Sequence, residues 1–393
     1  MSTETSKPKR LLVIISHTLT SLVRKGEITP RYYNPGELFD EVHILMTNSD
    51  RPNPSDLQET VGRAKLFLHN IPIDRGPFFT TLGYRPRLLR HWADTAVRLA
   101  RRIAPDLIRC YGNSVNGFLA VEIKRALRVP VVVSLHMNPE EERVIEAPNW
   151  KSRFLALMLR SVENATLRDS DIVMPVYESI RGYAERNGAK DIRVVYNVLS
   201  PHLRQKESYE LHHPVRIISV GRLLRGKNPE CLIRAVADID ADLTLVGDGP
   251  LLEHLQRIAR ACGALGKVKF KRSVPNDQLC EMLPKFDIFA AHSAYSGPPK
   301  AVLEPLLTGL PVVLNRCDVQ PAVELARGEG SWILLVPNTK EGYLQAIKRL
   351  AADDELRERL GRSAYAHARQ QWAPDKMEAT VAGIYDEVMK KSH

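Results

Sequence analysis

The sequence has no apolar segment long enough to cross a membrane. A spanning helix needs about 20 consecutive apolar residues, whereas the apolar run at residues 11–15 has five. Cysteine is scarce, with five scattered residues and no C-x-x-C pair, which argues against a disulfide framework or a zinc site and favours a reducing compartment. Residues 1–10 are polar and basic, without the apolar stretch of a signal peptide. These absences predict a cytoplasmic protein.

The composition is that of an ordinary globular protein with an excess of positive charge. Of the 393 residues, 44% are hydrophobic and 26% charged, which excludes a disordered or fibrous chain. The net charge is +10, and residues 1–200 carry 29 basic against 22 acidic side chains. Such an excess suits a nucleic acid, an acidic membrane surface or a phosphorylated substrate, or is simply a solvated surface. Because no nucleic-acid-binding module is recognisable, we predict no nucleic-acid partner.

Short β-branched runs alternate with amphipathic stretches, a pattern typical of doubly wound α/β domains. Strands are predicted at residues 11–15, 42–46, 65–68, 107–110, 131–135, 172–175 and 193–196, then at 216–220, 243–246, 268–270, 288–291, 312–314 and 332–336. Helices are predicted at residues 86–104, 116–127, 152–168, 229–236, 250–262, 276–283, 301–307 and 340–351. A polar stretch at 200–214 is predicted to link two domains, residues 1–205 and 206–370. Since parallel sheets bind ligands at the carboxyl ends of their strands, we expect a site in the cleft between these domains.

The loop after the strand at 216–220 has the chemistry of a diphosphate site. It reads Gly221-Arg222-Leu223-Leu224-Arg225-Gly226-Lys227-Asn228-Pro229 before a predicted helix. Glycine allows a ligand close to the backbone, and Arg222 and Lys227 place two cations beside a helix N-terminus. The alternative is that these cations only aid solubility. The next strand runs into Gly247-Asp248-Gly249-Pro250, which by itself is a tight turn before a helix.

Together these motifs resemble a known enzyme family. The segments SVGRLLRGKNPECLIRA, LTLVGDGPLLEHL and VLEPLLTGLPVVL are similar, in order and spacing, to the C-terminal domain of the retaining glycosyltransferases of family 4. The resemblance is detailed over about residues 213–340 and looser over the N-terminal half. It implies the GT-B architecture, in which two Rossmann-like parallel-sheet domains face each other across a cleft. It also implies that a kinked C-terminal helix, within residues 371–393, crosses back onto the N-terminal domain.

The resemblance implies roles for individual residues. Arg222 and Lys227 would hold the diphosphate of a sugar nucleotide and stabilise the charge that develops as it departs. Glu304 would accept hydrogen bonds from the ribose hydroxyls, unless it is only an exposed helix residue. His136 would lie close to the transferred sugar, unless it is only a structural hydrogen-bonding residue at a strand end. The implied donor-binding set is Gly221, Gly247, Ser296, Gly297, Lys300, Val302, Leu303 and Glu304.

The sequence departs from the family pattern in the part that contacts the sugar. The family has a glutamate eight positions before Glu304, where this chain has Ser296. Pro298 and Pro299 lack the N–H groups that a sugar-binding turn could donate. The loop at 315–323 is longer than usual and lacks the family's Gly-Gly. Either change could alter the choice of donor or reflect lost activity.

Candidate acceptor residues follow the strands of the N-terminal half. His17 and Lys25 lie after the first strand, in place of the glycine-rich turn of many relatives, and Asn113 follows the strand at 107–110. A plain turn is the alternative for the segment that contains Asn113. The D-x-D sequence at 169–171 directly precedes a strand, at the wrong end for a site, so we predict no essential metal and no cofactor besides the donor.

The predicted helix at 86–104 is amphipathic and basic, with several arginines opposite leucines and a tryptophan. A helix of this kind can lie on an anionic bilayer at the inner face of the membrane. The alternative is that one face packs in the core while the arginines face water.

These observations predict a metal-independent retaining glycosyltransferase with a nucleoside-diphosphate-sugar donor. The acceptor would be a sugar, lipid-linked or a small molecule, in cell-surface polysaccharide, glycolipid or other glycoconjugate synthesis. A nucleotide-sugar epimerase on the same fold and a non-catalytic partner subunit remain alternatives. Detection of an acceptor product distinguishes the transferase from the epimerase, and binding of nucleoside diphosphates argues against an inactive subunit.

Overall fold

A computed structural model describes residues 7–73, 87–146, 150–317 and 322–391. The chain divides into two compact units. Unit 1 contains Met1–Val198 and Asp375–His393, and unit 2 contains Leu199–Pro374. The divisions fall at 198/199 and 374/375, whereas the sequence predicts 205/206 and 370/371.

Unit 1 is built on one parallel sheet with helices on both faces. Its strands are β1 (Arg10–Ile15), β2 (Glu41–Met46), β3 (Lys65–Asn70), β4 (Leu107–Tyr111), β5 (Val131–Leu135) and β6 (Ile172–Pro175), in the order β3-β2-β1-β4-β5-β6. The α-helices are α1 (Leu19–Arg24), α2 (Arg87–Ile103), α3 (Val115–Leu127), α4 (Pro139–Glu146), α5 (Trp150–Asp169) and α6 (Arg181–Arg186), and the C-terminal α14 (Pro374–Lys391) packs in the same unit. Because the central strands consist mainly of apolar residues and are buried on both faces, the sheet forms the middle layer of the unit.

Unit 2 repeats this plan. Its strands are β7 (Val215–Val220), β8 (Ala241–Val246), β9 (Val268–Lys271), β10 (Ile288–Ala291), β11 (Val312–Asn315) and β12 (Leu334–Val336), in the order β12-β11-β10-β7-β8-β9. The helices are α7 (Glu230–Ala237), α8 (Leu252–Ala261), α9 (Asn276–Met282), α10 (Lys300–Thr308), α11 (Val323–Ala326), α12 (Lys340–Ala352) and α13 (Asp354–Trp372). Every strand pair in both sheets is parallel. The order changes direction between β7 and β10, and open parallel sheets bind ligands at the carboxyl ends of the strands beside such a point.

The C-terminal helix α14 is part of the core of unit 1. Its apolar side chains, among them Met377, Val381 and Tyr385, join the buried cluster on one face of the first sheet. Two ion pairs connect the helix to the rest of unit 1. Glu378 pairs with Arg31 at 2.7 Å, and Glu387 pairs with Arg193. The helix therefore returns to the N-terminal unit, as the family resemblance implies.

Helix α2 uses its apolar face inside unit 1. Ala93, Ala96 and Ala100 are buried, whereas Arg98 and Arg101 are exposed. The indole N–H of Trp92 donates to the carbonyl of Ile71 at 3.2 Å, so this ring is engaged in the fold. The start of the predicted helix at residue 86 lies outside the described residues.

One predicted strand is wrong. Residues 193–196 form no strand, although Arg193 and Val195 donate backbone hydrogen bonds to the β6 carbonyls of Val173 and Pro175 at 3.0 and 2.9 Å. The segment runs beside β6, but its hydrogen bonds do not form the regular pattern of a β-strand pair. Residues 318–321, within the long loop noted at 315–323, lie outside the described residues.

The predicted linker at 200–214 has no helix or strand, but part of it is anchored on unit 2. The buried Lys206 ammonium donates to the carbonyls of Pro284 and Phe286 at 3.1 and 2.7 Å. The hydroxyl of the buried Tyr209 donates to the carbonyl of Gly309 at 2.8 Å. Buried polar groups need such partners, so this segment cannot act as a free linker along its whole length.

Candidate functional site

Two glycines bring the loops after β7 and β8 into close contact. A Cβ atom on Gly247 would lie 1.8 Å from the carbonyl oxygen of Gly221, and one on Gly249 would lie 2.3 Å from that of Leu223. Gly247 and Gly249 both have φ +155°, which other residues rarely adopt. The backbone N–H of Leu223 donates to the Asp248 carbonyl at 2.9 Å. The glycines singled out in the sequence are therefore needed where two backbones meet.

The loop after β7, residues 221–229 and hereafter the β7 loop, carries the two predicted cations. Arg222 is exposed and Lys227 is half-buried. The Lys227 stem lies over Gly221, since a Cβ there would be 3.6 Å from Lys227 Cδ. Most backbone N–H groups of this loop already have intramolecular acceptors. The loop therefore offers charge to an anion mainly through its side chains.

The loop after β10, residues 292–299 and hereafter the β10 loop, is bonded directly to the β7 loop. The Asn228 N–H donates to His292 Nδ1 at 3.0 Å, and the Ala294 N–H donates to the Gly226 carbonyl at 2.8 Å. These two bonds place the cation-bearing loop beside the segment that leads through Ser296 to helix α10. Residues about 70 positions apart in sequence thus form one surface at the carboxyl edge of the sheet.

Glu304 is buried rather than exposed. Only 6% of its surface is accessible, and its Oε1 accepts a 3.1 Å hydrogen bond from Asn276 Nδ2. A carboxylate can only accept, so the Asn276 amide must present its NH₂ group. Cys280 Sγ approaches the other end of the same amide, Asn276 Oδ1, at 3.7 Å. Asn276 therefore orients Glu304 across helices α9 and α10.

Ser296 lies in a buried part of the β10 loop. It is 2% exposed, and Gly297 and Pro298 beside it are buried as well. Asn315 organises this loop, accepting from the Ser293 N–H at 2.7 Å and donating to the Ser293 carbonyl at 3.0 Å.

The residues after Ser296 lead into helix α10. Lys300 is exposed at the start of the helix, and Val302 and Leu303 are buried against unit 2. The predicted donor-binding residues of this motif therefore lie on one continuous segment, with Glu304 facing Asn276.

Unit 1 has an aromatic cluster at the carboxyl ends of β1, β4 and β5. His17 Nε2 lies 3.3 Å from the hydroxyl of Tyr33, and Tyr33 packs edge-on against Tyr111 at 5.9 Å. Tyr111 in turn stacks on His136 at 5.5 Å. The predicted residues His17 and His136 are therefore linked through two tyrosines that the sequence analysis did not single out.

His17 lies at this aromatic edge, whereas Lys25 follows α1. His17 as a whole is exposed, but its imidazole lies against Tyr33, and desolvation by burial lowers its pKa, which the nearby Asp50 carboxylate partly opposes. A neutral imidazole can accept a proton or donate a hydrogen bond. Lys25 is exposed at the end of α1.

Asn113 is tied into a buried network. It donates to the Tyr183 hydroxyl at 2.9 Å, and Tyr183 donates to Glu163 at 3.1 Å, which pairs with Arg143. The Asn113 amide therefore has a structural role in this network.

The D-x-D sequence lies at the amino end of β6. Asp169 pairs with Arg125 at 2.7 Å, and Asp171 pairs with Lys124 at 2.6 Å. Within the described parts of the chain, no group of three metal-ligating side chains is found. Over the same residues, no helix is long and apolar enough to span a membrane.

Sequence reasoning did not identify His292, Asn276 or Asn315. Each acts through a partner between 22 and 64 residues away. Their only signal in the sequence was position, since His292 directly follows β10, Asn276 begins α9 and Asn315 ends β11.

Family models match both units. Residues 36–198 match the glycosyl transferase 4-like domain, and residues 204–367 match the glycosyl transferases group 1 domain. The two models together span most of the chain. The second match includes the β7 loop, the β10 loop and Glu304.

Individual relatives are distant but extend over most of the chain. The sulfoquinovosyl transferase SQD2 of Arabidopsis thaliana is 24% identical, over 91% of this chain and 70% of its own. The alpha-D-kanosaminyltransferase of Streptomyces kanamyceticus is 23% identical, over 88% and 95%. The crystal structure of Anabaena HepE in complex with UDP and glucose superposes with a TM-score of 0.72 at 17% identity, covering 96% of this chain and 99% of that one. At this identity the structural likeness shows the fold alone.

Proposed function

The chain belongs to the family 4 glycosyltransferases, with a group 1 C-terminal domain, and from that premise we propose that it transfers a sugar from a nucleoside diphosphate to an acceptor hydroxyl with retention of configuration. Arg222 and Lys227 bind the diphosphate, Glu304 binds the ribose, and the segment around Ser296 faces the sugar.

One observation carries the assignment of the donor site. Two hydrogen bonds, from Asn228 to His292 and from Ala294 to Gly226, hold the cationic β7 loop against the β10 loop that leads to Glu304. A sugar nucleotide needs a cationic patch for its diphosphate and an acceptor for its ribose diol. The carboxyl edge of this sheet supplies both within unit 2.

Catalysis in this proposal is electrostatic. As the bond between the sugar and the diphosphate breaks, negative charge grows on the departing diphosphate, and cations already in place there stabilise the transition state more than the ground state. The leaving phosphate takes the proton of the acceptor hydroxyl on the same face of the sugar, so no dedicated protein base is needed. Metal ions are not needed either, because Arg222 and Lys227 supply the positive charge.

The acceptor is proposed to bind at the aromatic edge of unit 1. His17 lies at that edge, Asn113 lies in the loop after β4, and Lys25 follows α1. His136 is the residue of this unit that we propose to take part in the transfer. Acceptor sugars of the lipid-linked or small-molecule kind suit a cytoplasmic enzyme of glycoconjugate synthesis. The exposed Arg98 and Arg101 of α2 support a peripheral, electrostatic contact with an anionic membrane.

A screen of UDP-, GDP-, ADP- and dTDP-sugars tests the proposal. The purified chain should hydrolyse or transfer from at least one of them, in the presence of a chelator, and NMR of the product should show the anomeric configuration of the donor. Formation of an acceptor glycoside separates the transferase from an epimerase. A chain that binds none of the four nucleoside diphosphates would instead be a non-catalytic subunit.

Membrane contact is tested separately. Flotation with anionic vesicles but not with neutral ones, weakened in an Arg98→Gln/Arg101→Gln variant, supports the contact. Flotation unaffected by the double substitution contradicts it.

A further inference from the structure

Asn315, at the end of β11, uses its side-chain amide to hold the loop that follows the neighbouring strand. Its Oδ1 accepts the Ser293 N–H at 2.7 Å, and its Nδ2 donates to the carbonyls of Ser293 and Arg316 at 3.0 and 3.1 Å. The side chain is 5% exposed, and buried polar groups need such partners. The amide therefore bonds to both backbone groups of Ser293, as a paired strand would.

The first residues of the β10 loop are bonded to two neighbouring loops. Strand β10 lies between β7 and β11 in the sheet. Beyond its end, His292 and Ala294 bond to the β7 loop, whereas Ser293 between them bonds to Asn315. Cys317, which follows β11, also reaches this loop, since its Sγ donates to the Ala294 carbonyl at 3.2 Å. The loop is thus fixed from the β7 side and, independently, from the β11 side.

The bonds from the β11 side lead toward Ser296. The hydroxyl oxygen of Ser293 accepts the Tyr295 N–H at 3.3 Å, one residue before Ser296. The backbone of Ser293 is therefore bonded to Asn315, and its side chain is bonded to the turn that contains Ser296. A change in the amide of Asn315 is expected to move this turn, whereas the bonds from His292 and Ala294 to the β7 loop involve other atoms.

We infer that Asn315 is a positioning residue that determines which donor sugar is used, because it fixes the β10 loop against which the sugar is selected. The inference rests on the proposed function, in which the segment around Ser296 faces the sugar and the β7 loop binds the diphosphate. Selection of a sugar depends on hydrogen bonds to its hydroxyl groups, and a displacement of about 1 Å is enough to impair such a site. Binding of the diphosphate depends on cations of another loop.

Two matched substitutions test this role. Asn315→Asp keeps the shape of the side chain and the acceptor for the Ser293 N–H, but a carboxylate cannot donate to the two carbonyls. Asn34→Asp is the control, because Asn34 is buried in unit 1 with the same set of bonds. Asn34 accepts the Phe39 N–H at 3.1 Å and donates to the carbonyls of Phe39 and Val61 at 3.0 and 3.1 Å.

The main measurement compares two sugar nucleotides that share a base and differ at one hydroxyl, such as UDP-glucose and UDP-galactose. The ratio of their kcat/KM values, measured with one acceptor, reports sugar selection, because effects on the acceptor cancel. We expect Asn315→Asp to reduce this ratio roughly 10-fold or more, while calorimetry shows uridine diphosphate bound within about 3-fold of the wild-type affinity. Asn34→Asp should lose thermal stability as well but keep the wild-type ratio.

Two results overturn the inference and leave the proposed function intact. The first is an unchanged ratio of kcat/KM values in Asn315→Asp. The second is an Asn315→Asp variant that loses affinity for uridine diphosphate as strongly as it loses turnover of the sugar nucleotides, since that indicates a general structural role.

A further measurement uses only the wild type and does not depend on either variant folding. In ¹H–¹⁵N correlation spectra, the backbone amide of Ser293 and the side-chain amide of Asn315 should differ between the complexes with uridine diphosphate and with a sugar nucleotide, because only the second ligand carries a sugar. Identical resonances of both groups in the two complexes refute the inference. A wild type that binds neither ligand refutes the proposed function itself, so the two failures are distinguishable.

Discussion

Gly247 and Gly221 approach so closely that no side chain fits between their backbones. A Cβ atom on Gly247 would lie 1.8 Å from the Gly221 carbonyl oxygen, and Gly247 has φ +155°. The contact connects the ends of β8 and β7, and the Gly221 N–H also donates to the Val246 carbonyl at 3.0 Å. The position of the β7 loop therefore depends on the absence of one methyl group.

We expect Gly247→Ala to destabilise unit 2 and to displace the β7 loop. The unfavourable φ alone costs roughly 1–3 kcal/mol, and the backbone clash adds to it. Urea titration followed by fluorescence measures the loss, and calorimetry with a nucleoside diphosphate measures the effect on the site. Gly266→Ala is the matched control, because a Cβ there meets nothing within 4 Å. If Gly247→Ala is no less stable than Gly266→Ala, the close approach of the two loops is wrong.

Glu304 and Ser296 should contribute differently to nucleotide binding. Glu304→Ala removes the hydrogen bonds that the ribose hydroxyls are proposed to donate to the carboxylate, and a hydrogen bond to a charged group contributes about 1.5–3 kcal/mol. The affinity for sugar nucleotide and for free nucleoside diphosphate should therefore fall roughly 10- to 150-fold. Ser296→Ala should leave affinity for the diphosphate nearly unchanged, because Ser296 is proposed to face only the sugar. Calorimetric titration of both variants with a nucleoside diphosphate measures the two affinities. Equal losses would mean that the donor has been placed incorrectly.

Asn276 should act on the ribose only through Glu304. Asn276→Ala removes the 3.1 Å hydrogen bond that orients the carboxylate, so affinity for a nucleoside diphosphate should fall about 3- to 10-fold, as for loss of one hydrogen bond of about 1 kcal/mol. In the Asn276→Ala/Glu304→Ala double variant the two effects should not add, since the positioning residue has nothing left to orient. A 2′,3′-dideoxy nucleotide should bind the wild type and Asn276→Ala equally. Additive losses, or an equal loss with the dideoxy nucleotide, would indicate a general structural role.

Much of the fold was predictable because the central strands consist mainly of apolar residues. Each strand that the structure describes in the two sheets matches a predicted strand, whereas the predicted strand at 193–196 has no counterpart. That segment also has apolar residues, but it borders β6 through a few bonds only, and register with a neighbour is not visible in a single sequence. The anchoring of the segment at 200–214 could not be predicted, because the partners of Lys206 and Tyr209 lie 78 to 100 residues away.

Site residues were predictable where they lie together in one loop, and were not predictable where they contact residues that are distant in the sequence. Arg222 and Lys227 follow a strand in a glycine-containing turn, a local pattern. His292 and Asn276 depend on Asn228 and Glu304, which only the fold brings near them. Glu304 was identified from its motif, but its burial could not be inferred from helical spacing.

Lys227 should affect the chemical step as well as binding. Lys227→Ala should weaken both nucleoside diphosphate and sugar nucleotide, and it should also slow transfer at saturating donor, because charge on the diphosphate grows in the transition state. Steady-state kinetics should show a lower kcat together with a higher donor KM. Arg225→Ala, which removes an exposed cation of the same loop, is the matched control. A raised KM at unchanged kcat would limit Lys227 to ground-state binding.

Two histidines, His43 and His69, lie side by side on the first sheet. His43 Nδ1 lies 3.0 Å from His69 Nε2, and the His43 ring stacks on Phe67 at 4.5 Å. Desolvation by burial and the neighbouring His69 lower the pKa of His43 from 6.5 to about 4, although the Glu41 carboxylate opposes this. The folded protein therefore keeps His43 neutral over a pH range in which the unfolded chain binds a proton.

Stability should fall as pH drops from about 6.5 to about 4, since the unfolded state alone gains the proton in that interval. At about 1.4 kcal/mol per pKa unit, the loss attributable to His43 is on the order of 3 kcal/mol. His43→Asn keeps a polar atom near the position of Nδ1 and removes the titration, so its free energy of unfolding should depend less steeply on pH between 4 and 6.5 than that of the wild type. The quantity to compare is the slope of the free energy of unfolding against pH, because loss of the stacking between His43 and Phe67 lowers the stability of the variant at every pH. His91→Asn, at an exposed position of α2, should keep the wild-type slope. Parallel curves for His43→Asn and the wild type in urea titrations would show that His43 titrates in the folded protein as it does in the unfolded chain.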